Sequence, residues 1–341
     1  MAFVRPDQLR IGYLLPTRDR LAAGDSALGP VIAGARRAEA LGFDSVWVGD
    51  SPLTRPRADP LLVLAAVAAV TTQVTLGTAV LLAALRHPIL LAHQLATLDR
   101  IADGRLVVGM GAGFPHPVTE AQFATLGVGF AHRSARLDES IDAIRLLWAG
   151  GPASFAGTHV RFQDVTLGPT PAQVGGPPIW MAGGGSALRR VARQADGWLP
   201  YPPTWTAYTE EWAALQQSAA DHDRPDALTP AFYATVCLDE DPERGRQRAR
   251  ASIQRYYNAP LEYIEARQAV FVGTAAGCAA WLGRYATAGA RHVVVRFAVE
   301  NQSEAVEEFA QEVFPLLATL NPHLPPSHGG RIEAPRPGEV R

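Results

Sequence analysis

Within a short span, Pro177 to Pro200, the chain changes character four times, and this span constrains the fold more than any other. Ile179, Trp180, Met181 and Ala182 form an apolar run with no polar interruption, the pattern of a strand buried on both faces. Gly183, Gly184 and Gly185 follow, then Ser186, a residue type suited to capping a helix. Leu188, Val191, Ala192 and Ala195 recur at helical spacing and define one buried face. Asp196-Gly197 ends that helix, and Trp198-Leu199-Pro200 opens another strand. A glycine turn between strand and helix lets a ligand approach the backbone closely, and free N–H groups at a helix start attract an anion. The turn reads either as a phosphate site or as a tight connection with no ligand.

The same alternation runs along the chain. Strands are expected at Leu9–Leu15, Ser45–Val48, Val74–Leu81, Arg105–Met110, Ala231–Leu238 and His292–Phe297, besides the two just described. Helices are expected at 31–41, 60–70, 88–101, 134–148, 206–220, 242–257, 275–286 and 303–320. Pro115 and Pro117 mark a loop after the fourth strand, and period-2 alternation at 158–162 marks a β-hairpin within 155–167. Eight strands, each followed by a helix, predict an α/β chain of the (β/α)8 TIM-barrel class. An open doubly wound sheet is the alternative. It would use Gly109-Met110-Gly111 as a nucleotide fingerprint, but its third glycine falls on Phe114 and two prolines follow. The expected organisation is one barrel over residues 1–320 with an insertion near 150–175. A loosely held Pro- and Gly-rich tail is expected over 321–341.

Composition narrows the chemistry. The chain of 341 residues contains no lysine, which excludes Schiff-base, pyridoxal and Walker-type P-loop mechanisms. A formal net charge of -2 gives no sign of nucleic acid or an anionic membrane. No apolar run reaches the ~18 residues of a membrane span, and no leader pattern is visible, so the expected location is the cytoplasm. Two cysteines, Cys237 and Cys278, are too few for a disulfide framework. No His, Asp or Glu cluster has metal-ligand spacing, and no nucleophile elbow occurs. In a barrel the chemistry sits at the carboxyl ends of the strands. That selects Asp50, Ser51, Ala79 to Leu81, Gly111, Ala112, Gly113, Phe114, Gly183 to Ser186 and Arg296.

Several blocks carry a resemblance. They are Gly77 to Leu81, RHPILLAHQLATLDRIADGRLVVGMGAG (86–113), EAQFATLGVGFAHRSARLDESIDAIRLLW (120–148), PPIWMAGGGSALRRVARQADGWL (177–199) and Phe271 to Thr274. In this order they resemble the luciferase-like monooxygenase superfamily, and most closely its branch that uses the deazaflavin coenzyme F420. Users of flavin mononucleotide (FMN) share much of the pattern. The resemblance implies a flavin-type ring in the barrel mouth, backed by a non-prolyl cis peptide at Ala79-Val80. It implies a cofactor phosphate on Gly183, Gly184, Gly185 and Ser186, with close approach at Gly111 to Gly113. It also implies a homodimer, and a role for Asp50 at the ring's polar edge.

Sugar-phosphate dehydrogenases of that branch place a catalytic histidine and a glutamate where this chain has Ser51 and Phe114, so that chemistry is not expected here. His116 and His87 are candidate proton donors because histidine titrates near neutral pH. Arg296 meets either an anionic group of the substrate or cofactor tail, or an internal carboxylate. The expected function is hydride transfer between F420 and a small organic substrate held near Ser51, Phe114 and Arg296. The alternatives are a monooxygenase using reduced FMN and O2, and a non-catalytic flavin-binding barrel.

Overall fold

The computed structural model describes residues 9–320. The tail expected over 321–341 lies outside the described residues. Strands β1 (Arg10–Leu14), β2 (Ser45–Val48), β3 (Thr75–Thr78) and β4 (Leu106–Met110) come first. A hairpin follows, β5 (Pro152–Ala156) and β6 (Arg161–Thr166), and then β7 (Ile179–Met181) and β8 (Gly197–Trp198). The last three are β9 (Thr229–Leu238), β10 (Ala269–Gly273) and β11 (His292–Phe297). Parallel pairing runs β1-β2-β3-β4-β7-β8-β9-β11 and returns to β1, a closed eight-stranded barrel. The chain has the TIM-barrel fold. Its strands are short and apolar because both faces are buried, inside by barrel side chains and outside by helices.

The barrel interior is plugged below the mouth. Trp47 and Trp180 lie 5.2 Å apart, and His292 meets both rings edge-on. Gly12, Gly77 and Gly197 make room for the indoles, since a Cβ at any of them would collide with Trp47 or Trp180. The Trp47 indole donates to Ser45 Oγ at 2.7 Å, and Ser45 Oγ lies 2.8 Å from His292 Nε2. Burial lowers the pKa of His292 to about 3, so the ring is neutral. These buried side chains fill the barrel interior.

Four departures from the sequence-based expectations have physical causes. β10 was not anticipated; it adds a ninth strand that pairs with the far half of the long strand β9. Pro115 and Pro117 do not mark a continuous loop. A helix spans Pro117–Thr125, with proline at its start, where the missing N–H has no intrahelical partner anyway. Ser186 is not a helix cap: it sits in a 3-10 turn, Gly185–Ala187, and its side chain caps nothing. The last helix is interrupted by a wide turn, Phe309–Val313, just before Pro315, which cannot donate to the helical ladder.

No helix among the described residues is long and apolar enough to cross a membrane.

Candidate functional site at the barrel mouth

β3 ends in a kink. The Ala79–Val80 peptide is cis. Ala79 N–H still donates to Val48 O at 2.9 Å, and Leu81 N–H rejoins the sheet at Gly109 O, 2.7 Å away. The neighbouring strand accommodates this bulge by lacking side chains. A Cβ on Gly109 would collide with the Thr78 carbonyl, and one on Gly111 would sit 2.7 Å from Val80 Cγ2. The missing side chain at Gly111 therefore makes room for Val80. Gly113, with φ at +91°, turns the chain away, and its carbonyl accepts from Arg133 Nε at 3.3 Å. Ala112 between them is half-buried.

Asp50, at the end of β2, fixes the far side of the bulge. Its Oδ2 accepts from Leu82 N–H at 2.9 Å and from Arg86 Nη1 at 2.5 Å, while Arg86 Nη2 reaches Oδ1 at 3.2 Å. The carboxylate is buried and fully engaged with this guanidinium. Asp50 thus ties the backbone after the bulge to Arg86.

A cavity of about 160 Å³ opens over the bulge. Its floor is Leu14, Ala79, Val80, Ala182 and Leu199; its rim carries Arg57, Gln268 and four tyrosines, Tyr201, Tyr233, Tyr256 and Tyr257. Arg57 Nε and Gln268 Oε1 are buried and have no hydrogen-bond partner. The Tyr233 and Tyr257 hydroxyls lie 3.2 Å apart. Burial, reinforced by the neighbouring tyrosines, raises the pKa of both, so both keep their protons at neutral pH.

The other expected site residues are placed differently. His116 is exposed and accepts from Val118 N–H at 3.3 Å through Nδ1, so it caps the Pro117–Thr125 helix and does not line the cavity. Phe114 is exposed as well, 53% by area. Ser51 is buried but spends its hydroxyl on Gln122 and on the Arg55 N–H within the Pro52–Asp59 loop. Arg296 is wholly buried; it donates to Asp19 Oδ1 at 2.6 Å and Ser252 Oγ at 2.9 Å, which favours the internal ion pair of the two readings. His87 precedes Pro88 at a helix start and is exposed. Sequence reasoning missed Arg57, Gln268 and the tyrosines.

At the glycine turn, Gly183 and Gly185 have positive φ, and Trp198 Nε1 donates to Gly183 O at 2.7 Å. The Gly185 N–H donates to Glu211 Oε1 at 3.0 Å. The turn therefore holds an anionic oxygen, supplied by the chain itself. The apolar floor and unpartnered rim fit a flat ring with polar edges, and the turn fits an anion.

These features define a (β/α)8-barrel enzyme with its site at the carboxyl ends of the strands. The chain belongs to the luciferase-like monooxygenase family, whose model matches residues 9–292. It is similar to an F420-dependent glucose-6-phosphate dehydrogenase of Kineococcus radiotolerans, 29% identical over 341 residues, covering 91% of this chain and 97% of the relative. An enzyme of the same description from Beutenbergia cavernae is 35% identical over 253 residues, covering 71% of this chain and 72% of the relative. Among solved structures, monooxygenase RslO1 from Streptomyces bottropensis matches with a TM-score of 0.78 and 26% identity over 90% of this chain and 99% of that one. An F420-dependent secondary alcohol dehydrogenase in complex with an F420-acetone adduct shares the fold, with a TM-score of 0.74 and 19% identity over 91% of this chain and 99% of that one.

Proposed function

We propose that this chain is an F420-dependent oxidoreductase acting on a small organic substrate in the barrel mouth. The observation that carries this reading is the cavity over the Ala79–Val80 bulge, with an apolar floor and with the buried, unpartnered Arg57 Nε and Gln268 Oε1 among its lining residues. The relatives that use F420 support the choice of cofactor. When bound, F420 supplies a hydride donor or acceptor.

The rest falls to the chain. Ala79 and Val80, held by Asp50, Arg86 and the glycines of β4, form a rigid wall against which a ring packs. Leu14, Ala182 and Leu199 exclude water beneath it. The Gly183–Ser186 turn offers backbone N–H groups to a phosphate, in competition with Glu211. Tyr233 and Tyr257 hold protons on their hydroxyls beside the cavity, and this pair takes the proton-donor role that the sequence suggested for His116. Ser51 and Phe114 argue that the substrate is not a sugar phosphate.

The experiment is an anaerobic screen of alcohols, aldehydes and enones that follows F420 fluorescence. Substrate-dependent loss or recovery of fluorescence supports hydride transfer; none across the screen removes it. Similarity to RslO1 favours a second reading, a monooxygenase using reduced FMN and O2. Substrate-dependent oxygen consumption with reduced FMN, and no F420 turnover, selects it.

A further inference from the structure

The rim that supports the cofactor reading also has an electrostatic feature of its own. Three guanidinium groups surround the Tyr256 ring, with Arg296 at 3.8 Å, Arg18 at 4.5 Å and Arg57 at 5.4 Å from its centroid. Among the described residues one carboxylate, Asp19, pairs with a member of this group, and it is bound to Arg296. Arg20 beside it is taken by Asp25, and Arg255 by Glu300. Neither Arg18 nor Arg57 makes an ion pair among the described residues. Two positive charges therefore stand uncompensated in a partly dry mouth, where burial is costly without a counter-ion.

Arg57 is the member that reaches the cavity, and its Nε is buried without a partner. It is held there by packing: its guanidinium lies over Gly49, where any Cβ would collide with it. Besides Arg57 and Gln268, the cavity is lined by apolar and aromatic side chains, among them Leu14, Leu199, Tyr201 and Tyr233. A guanidinium with an unpartnered Nε–H beside such a chamber recognises a molecule with an apolar body and one anionic group.

We propose that the substrate is an apolar-bodied, preferably aromatic, anion, and that Arg57 binds its anionic group while the uncompensated Arg18 adds to the surrounding positive potential. The proposal rests on the redox reading of the same cavity and deepens it by naming the substrate class. Asp19 stays with Arg296, so the anion completes the charge balance of Arg57.

The test uses two nearly isosteric probes, benzoate and benzamide, titrated by calorimetry into the full chain, both free of cofactor and loaded with F420. The expected result is benzoate binding at least about tenfold tighter than benzamide. R57Q should weaken benzoate by about tenfold or more and leave benzamide within about twofold. R57K should recover part of the benzoate affinity, and circular dichroism of both variants confirms folding. G49A, which displaces the guanidinium without removing its charge, should also weaken benzoate selectively.

Equal affinity for the two probes, no binding of benzoate, or benzoate binding indifferent to R57Q overturns the proposal. A loss of F420 affinity in R57Q, with benzoate unaffected, assigns Arg57 to the cofactor and overturns it too. If wild type binds no cofactor yet shows Arg57-dependent benzoate selectivity, the redox reading fails and the anion site stands.

Discussion

The Glu211 carboxylate accepts the Gly185 N–H at 3.0 Å, in the glycine turn where the family resemblance places a cofactor phosphate. The contact is a consequence of missing side chains, because a Cβ on Gly184 would collide with the same carboxylate. An internal anion thus occupies a donor that a phosphate would need, and like charges repel at such range.

Removing that charge should help the cofactor. E211Q is expected to tighten binding of phosphate-bearing F420 or FMN by about three- to tenfold. Riboflavin, which lacks the phosphate, should bind unchanged. Parallel fluorescence titrations of wild type and variant check this; equal gains for riboflavin and FMN would place the effect elsewhere.

The bulge depends on the absence of side chains on β4. G109A drives a Cβ into the Thr78 carbonyl, a backbone atom that cannot swing aside. We expect a stability loss of about 1–3 kcal/mol, read by denaturant unfolding, together with weaker cofactor binding. G111A, which meets the movable Val80 side chain at 2.7 Å, should cost less.

Asp50 distinguishes positioning from proton transfer. D50A leaves Arg86 without its main partner and should destabilise the protein by about 3 kcal/mol, the scale for breaking one side of a buried pair. If Asp50 only orients the bulge, D50N lowers turnover without altering the shape of the pH–rate profile. Loss of a limb of that profile would restore Asp50 as an acid or base.

The proton should come from the tyrosine pair. Y257F and Y233F are each expected to lower kcat by about 10²-fold or more, within the range for loss of a general acid. H116A should lose about 1 kcal/mol of stability as a helix cap and keep turnover within about twofold.

His292 gives the fold an acid sensitivity. Its folded-state pKa lies near 3, below the ordinary 6.5, so between these values the unfolded chain binds a proton that the folded chain refuses. Stability therefore falls as pH drops from 6.5 towards 3, by up to about 1.4 kcal/mol per unit from this group. In H292Q that contribution disappears, and the difference between wild-type and variant unfolding curves across this window isolates it.

The barrel was legible in the sequence because doubly buried strands such as Ile179–Met181 and His292–Phe297 leave unbroken apolar runs. Amphipathic helices such as 88–101 leave a matching period. β10 was missed because Ala269–Gly273 is half-exposed and carries no such signature. The bulge at Ala79–Val80 came from family resemblance, not from any local pattern. The rim was not legible for a different reason. Tyr256 and Tyr257 end a helix, Arg57 lies in a proline-rich loop, and Gln268 precedes an edge strand; only the closed fold brings them to one cavity. The cap formed by His116 was not legible either, because a histidine in a mouth loop reads the same whether it caps a helix or donates a proton.

The most direct test of the account is a paired titration of the cofactor-free chain with F420 and with FMN, followed by fluorescence. The account predicts tight binding of F420, with FMN much weaker, and loss of both in G109A. Failure of both cofactors to bind at micromolar concentration would contradict it. Tight binding of FMN alone would contradict the choice of F420 and select the monooxygenase reading.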